Sequence, residues 1–402
     1  MRRRLQVNAA RRRFLLGAGA LAASAAFPPA LFAHTVGSSR LVVMILRGAL
    51  DGLAAVPPYG DPNYLALHRE LAIAAPGGAD GALALNGTFG LHPSLSFLHE
   101  RFTAGELIVF NAVASPYRDR SHFDGQNVLE NGLAKPIGSA DGWLNRALSA
   151  LSRGAGSSKD RAVAVSQNVP LILRGEAAVL SKSPQVTAVL DEDLLTRLGD
   201  LYSKDEWFSA RLSEAVQTDK MVDDAPRSSD SDRVTAAARM AAELMSSAGG
   251  PEIAVIEASG WDTHANQGGA KGTLAARLGG LDRAVKSLAT GLGPLWPQTA
   301  VLIVTEFGRT AAMNGTRGTD HGTGGCAFLV GGAVRGGQVI ADWPGLAPKA
   351  LLDNRDLKPT LDLRSVFKGV LDEHMCIDAH TLANQVFPDS HGARPLQGLI
   401  RA

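Results

Sequence analysis

Acidic and histidine residues gather in four short stretches of this chain, each trailing an apolar run. They read Arg47-Gly48-Ala49-Leu50-Asp51-Gly52, Gly260-Trp261-Asp262-Thr263-His264, Thr305-Glu306-Phe307-Gly308-Arg309-Thr310 and Gly318-Thr319-Asp320-His321-Gly322. Converging carboxylates repel one another unless a cation sits between them, so the pattern points to a metal site. Asp262 and His264 stand at i and i+2, which point the same way in extended backbone and can reach one ion. Oxygen with imidazole suits zinc, manganese or iron better than calcium. His321 is a further expected ligand, in a glycine-rich loop where backbones can approach closely. Asp320 either coordinates beside it or orients an imidazole from behind. Asp51 is a ligand or the start of an Asp-Gly turn in which Gly52 lets the backbone bend. Glu306 ends an apolar strand and needs a partner, either a metal or Arg309. The planar fork of Arg309 equally suits an anionic substrate.

The nucleophile is sought in Ser115-Pro116-Tyr117-Arg118-Asp119-Arg120-Ser121-His122-Phe123-Asp124. Ser121 opens a helix there, where amides and dipole favour an ionised oxygen. Ser121 with Asp124 is also a capping box, and the two roles are compatible. His122, Arg118 and Arg120 are near enough to serve as acid/base or anion clamps. No Gly-x-Ser-x-Gly elbow, Walker loop or His-Glu-x-x-His helix occurs, which weakens serine-hydrolase, nucleotide-switch and zincin readings. His92 before Pro93 is a possible pocket residue; His68, His99, His374, His380 and His391 read as surface or core.

Such side chains need a scaffold. Continuous apolar runs at Leu41 to Leu46, Leu107 to Val113, Ala162 to Val165, Ile253 to Ile256, Val301 to Thr305 and Ala327 to Val330 read as covered parallel strands. Helical patterns lie between them at His92 to Phe102, Phe123 to Leu129, Leu144 to Leu151, Arg233 to Met245 and Leu274 to Leu288. The alternation predicts an α/β fold, a mainly parallel sheet with helices on both faces. In such a sheet ligands bind outside the carboxyl ends of the strands. Residues 167–232 break the rhythm with charged helical segments and a Ser/Asp-rich link, and read as a small helical cap insertion.

Arg11-Arg12-Arg13-Phe14-Leu15 before the apolar run Leu15 to Ala26 is a twin-arginine export motif. A signal peptide over 1–33 is expected, ahead of a single domain over 34–402 in the periplasm. The run is too short for a permanent membrane span. With 40 Lys and Arg against 39 Asp and Glu, a net charge of +1 argues against a nucleic-acid surface. Cys326 and Cys376 could pair in an oxidising compartment, but Cys326 lies in an apolar run and reads as a buried free thiol.

The four stretches, together with Arg120-Ser121-His122-Phe123-Asp124 and Gly142-Trp143-Leu144-Asn145-Arg146, resemble a family of exported bacterial proteins called domain of unknown function 1501. That family groups with the alkaline phosphatase and sulfatase superfamily, and the resemblance spans about Leu41 to Gly337. It implies a two-metal site over a parallel sheet. Asp262, His264 and His321 would hold one ion, and Asp51 and Glu306 the second, with Ser121 in the nucleophile's place. Two departures stand out. The superfamily usually has Asp-His where this chain has Glu306-Phe307, which removes one imidazole, and it spaces the Asp and His of Asp262-Thr263-His264 more widely.

The expectation is therefore an exported hydrolase of phosphate or sulfate esters using one or two divalent ions, from zinc, manganese, magnesium or calcium. In that reading Ser121 attacks and Arg118 or Arg309 holds the small anionic ester. The alternative is a non-catalytic binding or assembly protein with an unknown periplasmic partner and a reduced metal site.

Overall fold

The computed structural model describes residues 39–152, 161–166, 168–183 and 230–401, without the side chains of residues 230 and 231. The export segment expected over 1–33 lies outside the described residues, as does most of the insertion expected over 167–232.

Apolar continuity sets the centre of the sheet. β1 (Arg40–Arg47) sends Leu41, Val43 and Ile45 to one face and Val42, Met44 and Leu46 to the other, all buried. Alternation of side chains along a strand buries every residue only when both faces are covered. β1 pairs in parallel with β7 (Ile253–Ser259) on one side and β8 (Thr299–Thr305) on the other. β5 (Ala162–Val165) and β6 (Leu180–Ser181) extend the sheet beyond β7. On the opposite flank come β9 (Gly325–Val330) and then β4 (Leu107–Ala114). Two short strands, β10 (Gln338–Ile340) and β11 (Leu361–Asp362), pair with successive parts of β4. A separate small hairpin joins β2 (Leu83–Ala84) to β3 (Gly90–Leu91).

Among the described strands of the main sheet, β9 alone runs antiparallel to its neighbours. Its amino end therefore lies at the carboxyl ends of the others. This places the loop before β9, with Asp320 and His321, at the same edge as the segments that follow β1, β7 and β8.

Helices cover both faces. One face takes α3 (Ser96–Thr103), α6 (Asp230–Ser246) and α7 (Thr273–Leu292), through Leu98, Ala238, Met245, Leu278, Leu281 and Val285. The other takes α4 (His122–Asn131), α5 (Trp143–Ser152) and α8 (Leu363–Glu373). There Trp143 stacks on Phe367, with ring centroids 4.9 Å apart. Burial of such an aromatic pair contributes about 0.5–1.5 kcal/mol beyond its area. The mainly parallel sheet with helices on both faces is the architecture expected from the alternating runs.

One local expectation is corrected. The sharp turn after β1 falls at Gly48 and Ala49, with φ of 118° and 60°. Gly52 instead opens the short helix α1 (Gly52–Ala55), where an added Cβ would lie 2.8 Å from the Cys326 amide nitrogen. The glycine there permits close approach of α1 to β9 and is not the bend. No helix among the described residues is long and apolar enough to cross a membrane. Cys326 is a buried free thiol and Cys376 an exposed one, and they do not pair.

Candidate metal centre

Glu306 follows β8 directly and is fully buried. Its Oε1 accepts from the Gly48 amide at 2.8 Å, from His122 Nδ1 at 2.8 Å and from Gln126 Nε2 at 3.1 Å. Its Oε2 accepts from Thr305 Oγ1 at 2.9 Å. Burial opposes ionisation, but the bonds from His122, Gln126 and Gly48 outweigh it and hold the carboxyl below its ordinary value. The buried carboxylate thus fixes His122 by its Nδ1 and turns Nε2 outward.

His122 Nε2 meets His321 Nε2 at 2.9 Å, and His264 Nε2 meets His321 Nε2 at 3.0 Å. Asp262 sits among them, with Oδ2 3.4 Å from His122 Nε2 and Oδ1 3.0 Å from His264 Nε2 and 3.4 Å from His321 Nε2. Each imidazole is held from behind by an acceptor. His321 Nδ1 donates to the Arg120 carbonyl at 2.9 Å, and His264 Nδ1 to Asp320 Oδ1 at 3.1 Å. Arg309, buried, donates from Nη1 to Asp262 Oδ1 and from Nε to Thr319 Oγ1 at 3.2 Å.

Electrostatics follow this arrangement. Partial burial would raise the Asp262 pKa, yet Arg309, His264 and His122 together hold it low. The Glu306 hydrogen bond raises the His122 pKa against partial burial. Burial, and then the charge of His122, lower that of His321. The Asn314 hydrogen bond leads the lowering of Asp320, with His264 adding to it.

The chemistry of the donors decides what fits here. With every Nδ1 proton committed to an oxygen that cannot donate, a neutral imidazole offers a lone pair at Nε2. The lone pairs of His122 and His321 and the Asp262 carboxylate lie within 4.8 Å of one another, and His264 Nε2 stands alongside, 3.0 Å from His321. A cation resolves that repulsion, and carboxylates or carbonyls behind ligand imidazoles are the usual support of metal-binding histidines. Tetrahedral zinc with bonds of about 2.0–2.1 Å would hold neighbouring nitrogens about 3.3 Å apart, close to the spacings of 2.9–3.4 Å found here. The donor set fits a divalent metal ion. Side chains of Asp262 and His264 are 40% and 43% exposed, so one side of the cluster opens to solvent.

A family model described as "Protein of unknown function (DUF1501)" matches residues 105–386, well over half of the chain. The chain belongs to the DUF1501 family. The matched span contains His122, Asp262, His264, Glu306, Asp320 and His321, whereas Asp51 precedes it. No curated protein matches the DUF1501 chain. Solved structures similar to it include Ps i-CgsB in complex with k-i-k-neocarrahexaose, at 9% identity and TM-score 0.37, covering 75% of this chain and 68% of that one. A protein in the alkaline phosphatase superfamily from Vibrio parahaemolyticus matches at 12% identity and TM-score 0.35, over 76% of this chain and 65% of its own. The C-terminal periplasmic domain of EcEptC from Escherichia coli, in complex with Zn, matches at 12% identity and TM-score 0.36, over 74% of each chain. Scores of this size carry nothing about activity over to the DUF1501 chain.

The expected site residues separate into three groups. His122, Asp262 and His321 form the one cluster of candidate metal ligands among the described residues, and His264 adjoins it at 3.0 Å from both Asp262 and His321. Glu306 and Asp320 stand behind His122 and His264 as orienting carboxylates. Asp51 lies apart. It caps α1, its Oδ1 accepting from Leu53 and Ala54 amides at 3.1 Å, while Oδ2 accepts from Gln267 Nε2 at 2.7 Å and faces His68 Nε2 at 3.4 Å.

The expected nucleophile and anion clamps are not assembled. Ser121 makes no side-chain cap bond, and its amide donates to Tyr117 Oη at 3.1 Å. The guanidinium of Arg118 is spent on the Ser115 and Tyr117 carbonyls. Arg120 pairs with Asp356 at 2.8 Å and Arg309 with Asp262. The Phe307 ring, centroid 5.1 Å from His122 and 5.3 Å from His321, walls the cluster. His122 on α4 brings an imidazole to the cluster beside Phe307. Sequence reasoning placed His122 in an acid/base or clamp role and missed the supporting Gln126, Asn314, Thr319 and Gln267. His122 carried a signal, since an imidazole at a helix start after a strand reaches the same edge; the neutral supports carried none.

Proposed function

We propose that this chain is an exported, divalent-metal-dependent hydrolase of phosphate or sulfate esters, built on a single metal centre. The observation that carries the metal reading is the clustering of His122, His321 and Asp262, with His264 alongside, each held by a fixed partner and open on one side. The ester class comes from the motif resemblance to the alkaline phosphatase and sulfatase superfamily, and export from Arg11-Arg12-Arg13.

When bound, a divalent ion supplies Lewis-acid polarisation of an ester oxygen. The remaining work belongs to the chain. Glu306, Asp320 and the Arg120 carbonyl keep the Nδ1 protons on their imidazoles and aim the three Nε2 atoms. Arg309 holds Asp262 ionised and fixes its Oδ1. Fixed geometry of this kind lowers the reorganisation needed during reaction.

The test is metal content of protein purified without chelator or affinity tag, with turnover of aryl phosphate and aryl sulfate esters. About one ion per chain, lost in His122→Ala and Asp262→Ala along with turnover, is the expected result. A metal-free wild type after reloading would sink the reading. A second reading, a metal-carrying binding protein, is favoured by one observation: among the described residues, no hydrogen bond joins the Ser121 hydroxyl to a side chain of the cluster. Stoichiometric metal with no turnover of either ester class would select it.

A further inference from the structure

Arg120 lends its carbonyl to His321 from an awkward posture. With φ of 60° it stands in the left-handed region, which a residue bearing a Cβ enters at a cost. The carbonyl turns with that backbone, and His321 Nδ1, 2.9 Å away, depends on where it points. The posture therefore needs an anchor.

Asp356, in the loop before β11, is that anchor. Its carboxylate is fully buried, and a buried carboxylate persists only where charge and hydrogen bonds offset its lost water. Arg120 approaches Oδ2 with Nε and Nη2, both at 2.8 Å. Thr323, buried and two residues past His321, donates Oγ1 to the same oxygen at 2.8 Å. Arg355 donates Nη1 to Oδ1 at 2.9 Å and Nη2 to the His321 carbonyl at 2.9 Å. Backbone bonds seat the loop of Asp356 on its neighbours. The Gly324 amide donates to the Leu357 carbonyl at 3.0 Å, and the Ala311 amide to the Arg355 carbonyl at 3.1 Å. One carboxylate thus grips both sides of a single hydrogen bond: the residue that accepts it and the loop that carries its donor.

We propose that Asp356 is a positioning residue of the metal centre, holding the Arg120 carbonyl against His321 Nδ1 so that the proton stays there and Nε2 keeps its lone pair toward the cation site. The inference rests on the metal reading for its purpose, and on these bonds alone for its mechanism. Asp353 supplies the contrast. It also approaches Arg120, at 3.4 Å, but its side chain is 70% exposed, and an exposed pair of that kind holds little.

The experiment takes full-length protein with isotope-labelled histidine, stripped of metal, at about pH 8, above the ordinary imidazole pKa. Ring-nitrogen magnetic resonance distinguishes a proton fixed on Nδ1 from one shared between the two nitrogens, and the His321 signals are those lost in His321→Gln. Zinc affinity comes from chelator competition, and the fold from circular dichroism and thermal unfolding. Wild type should show the proton fixed on His321 Nδ1. Asp356→Asn and Arg120→Ala should release it and weaken zinc about tenfold or more, while Asp353→Asn changes neither. Arg120→Ala, which trims a partly exposed side chain, carries the test if Asp356→Asn does not fold. A merely structural Asp356 would lower the unfolding temperature of Asp356→Asn and leave the proton fixed, which overturns the inference. So does a proton already mobile in wild type, unchanged zinc affinity in a folded variant, or an equal loss in Asp353→Asn. A wild type that binds no zinc, yet whose His321 proton is released by Asp356→Asn, would keep Asp356 as the residue that fixes His321 and remove the metal reading alone.

Discussion

Carboxylates in this chain differ in what surrounds them, and that sorts their roles. Glu306 never reaches the cluster's open side, so its value lies in fixing His122. Glu306→Gln keeps the shape and removes the charge, and should weaken metal affinity about 10–100-fold, measured by competition with a chromophoric chelator. Asp51→Asn should leave metal stoichiometry at wild type and instead lower stability by about 1–3 kcal/mol. Loss of the ion would return Asp51 to the ligand set. Asp51 also predicts a pH dependence. Burial resists its ionisation, but His68 and the Gln267 and Ala54 hydrogen bonds outweigh it and hold its pKa below the ordinary 3.8. A carboxyl with a depressed folded pKa stabilises fully above its unfolded pKa, and that stabilisation drains as pH falls through the folded value. Urea unfolding from pH 6 downward should show the wild-type advantage over Asp51→Asn shrinking below about pH 4. Strand-end Asp262, His264 and His321 were legible because their types declare the chemistry. Gln126, Gln267, Asn314 and Thr319 were not, because a neutral amide or hydroxyl has the same appearance on any surface loop.

Elements, rather than residues, set the spacing of the cluster. Gly318 lies so close to the loop of Thr263 and His264 that an added Cβ would fall 2.4 Å from their backbone. Gly318→Ala should push that loop from its neighbour, costing about 1–3 kcal/mol and the bound metal together, read by thermal unfolding and metal analysis. The long strands β1, β4, β7, β8 and β9 were readable from their apolar runs alone. β10 and β11 were not, being three and two residues long and half-buried; their pairing with β4 depends on where the sheet edge lies. α8 went unread for another reason. Its buried stripe includes Arg364 and Lys368 beside Val366, Phe367 and Val370, so its apolar period is broken by charges that tertiary partners satisfy. Lys368 donates Nζ to the Ser390 and Ala393 carbonyls at 2.8 and 2.9 Å.

For the whole molecule, metal binding and stability are linked. An ion that binds only the folded state at 100 times its Kd adds about 2.7 kcal/mol. For a domain of this size that is a rise in Tm of about 3–4 °C. Chelator-treated wild type should gain it on zinc addition, and Asp262→Ala should not. The turn from sequence to whole fold was sound where it used alternation of strands and helices. The direction of β9 was unreadable, since a covered antiparallel strand and a covered parallel one have the same apolar composition.

His122 and His321, which meet at 2.9 Å, are 199 positions apart along the chain. Closing so long a loop costs entropy that only an assembled sheet returns. The three imidazoles therefore come together late in folding, after β4, β8 and β9 have found their order. Selective affinity for the ion becomes a property of the finished molecule, and its capture a clock for the last step of assembly. Refolding followed at once by far-ultraviolet circular dichroism and by a metal-responsive dye should show secondary structure recovering before the dye reports uptake.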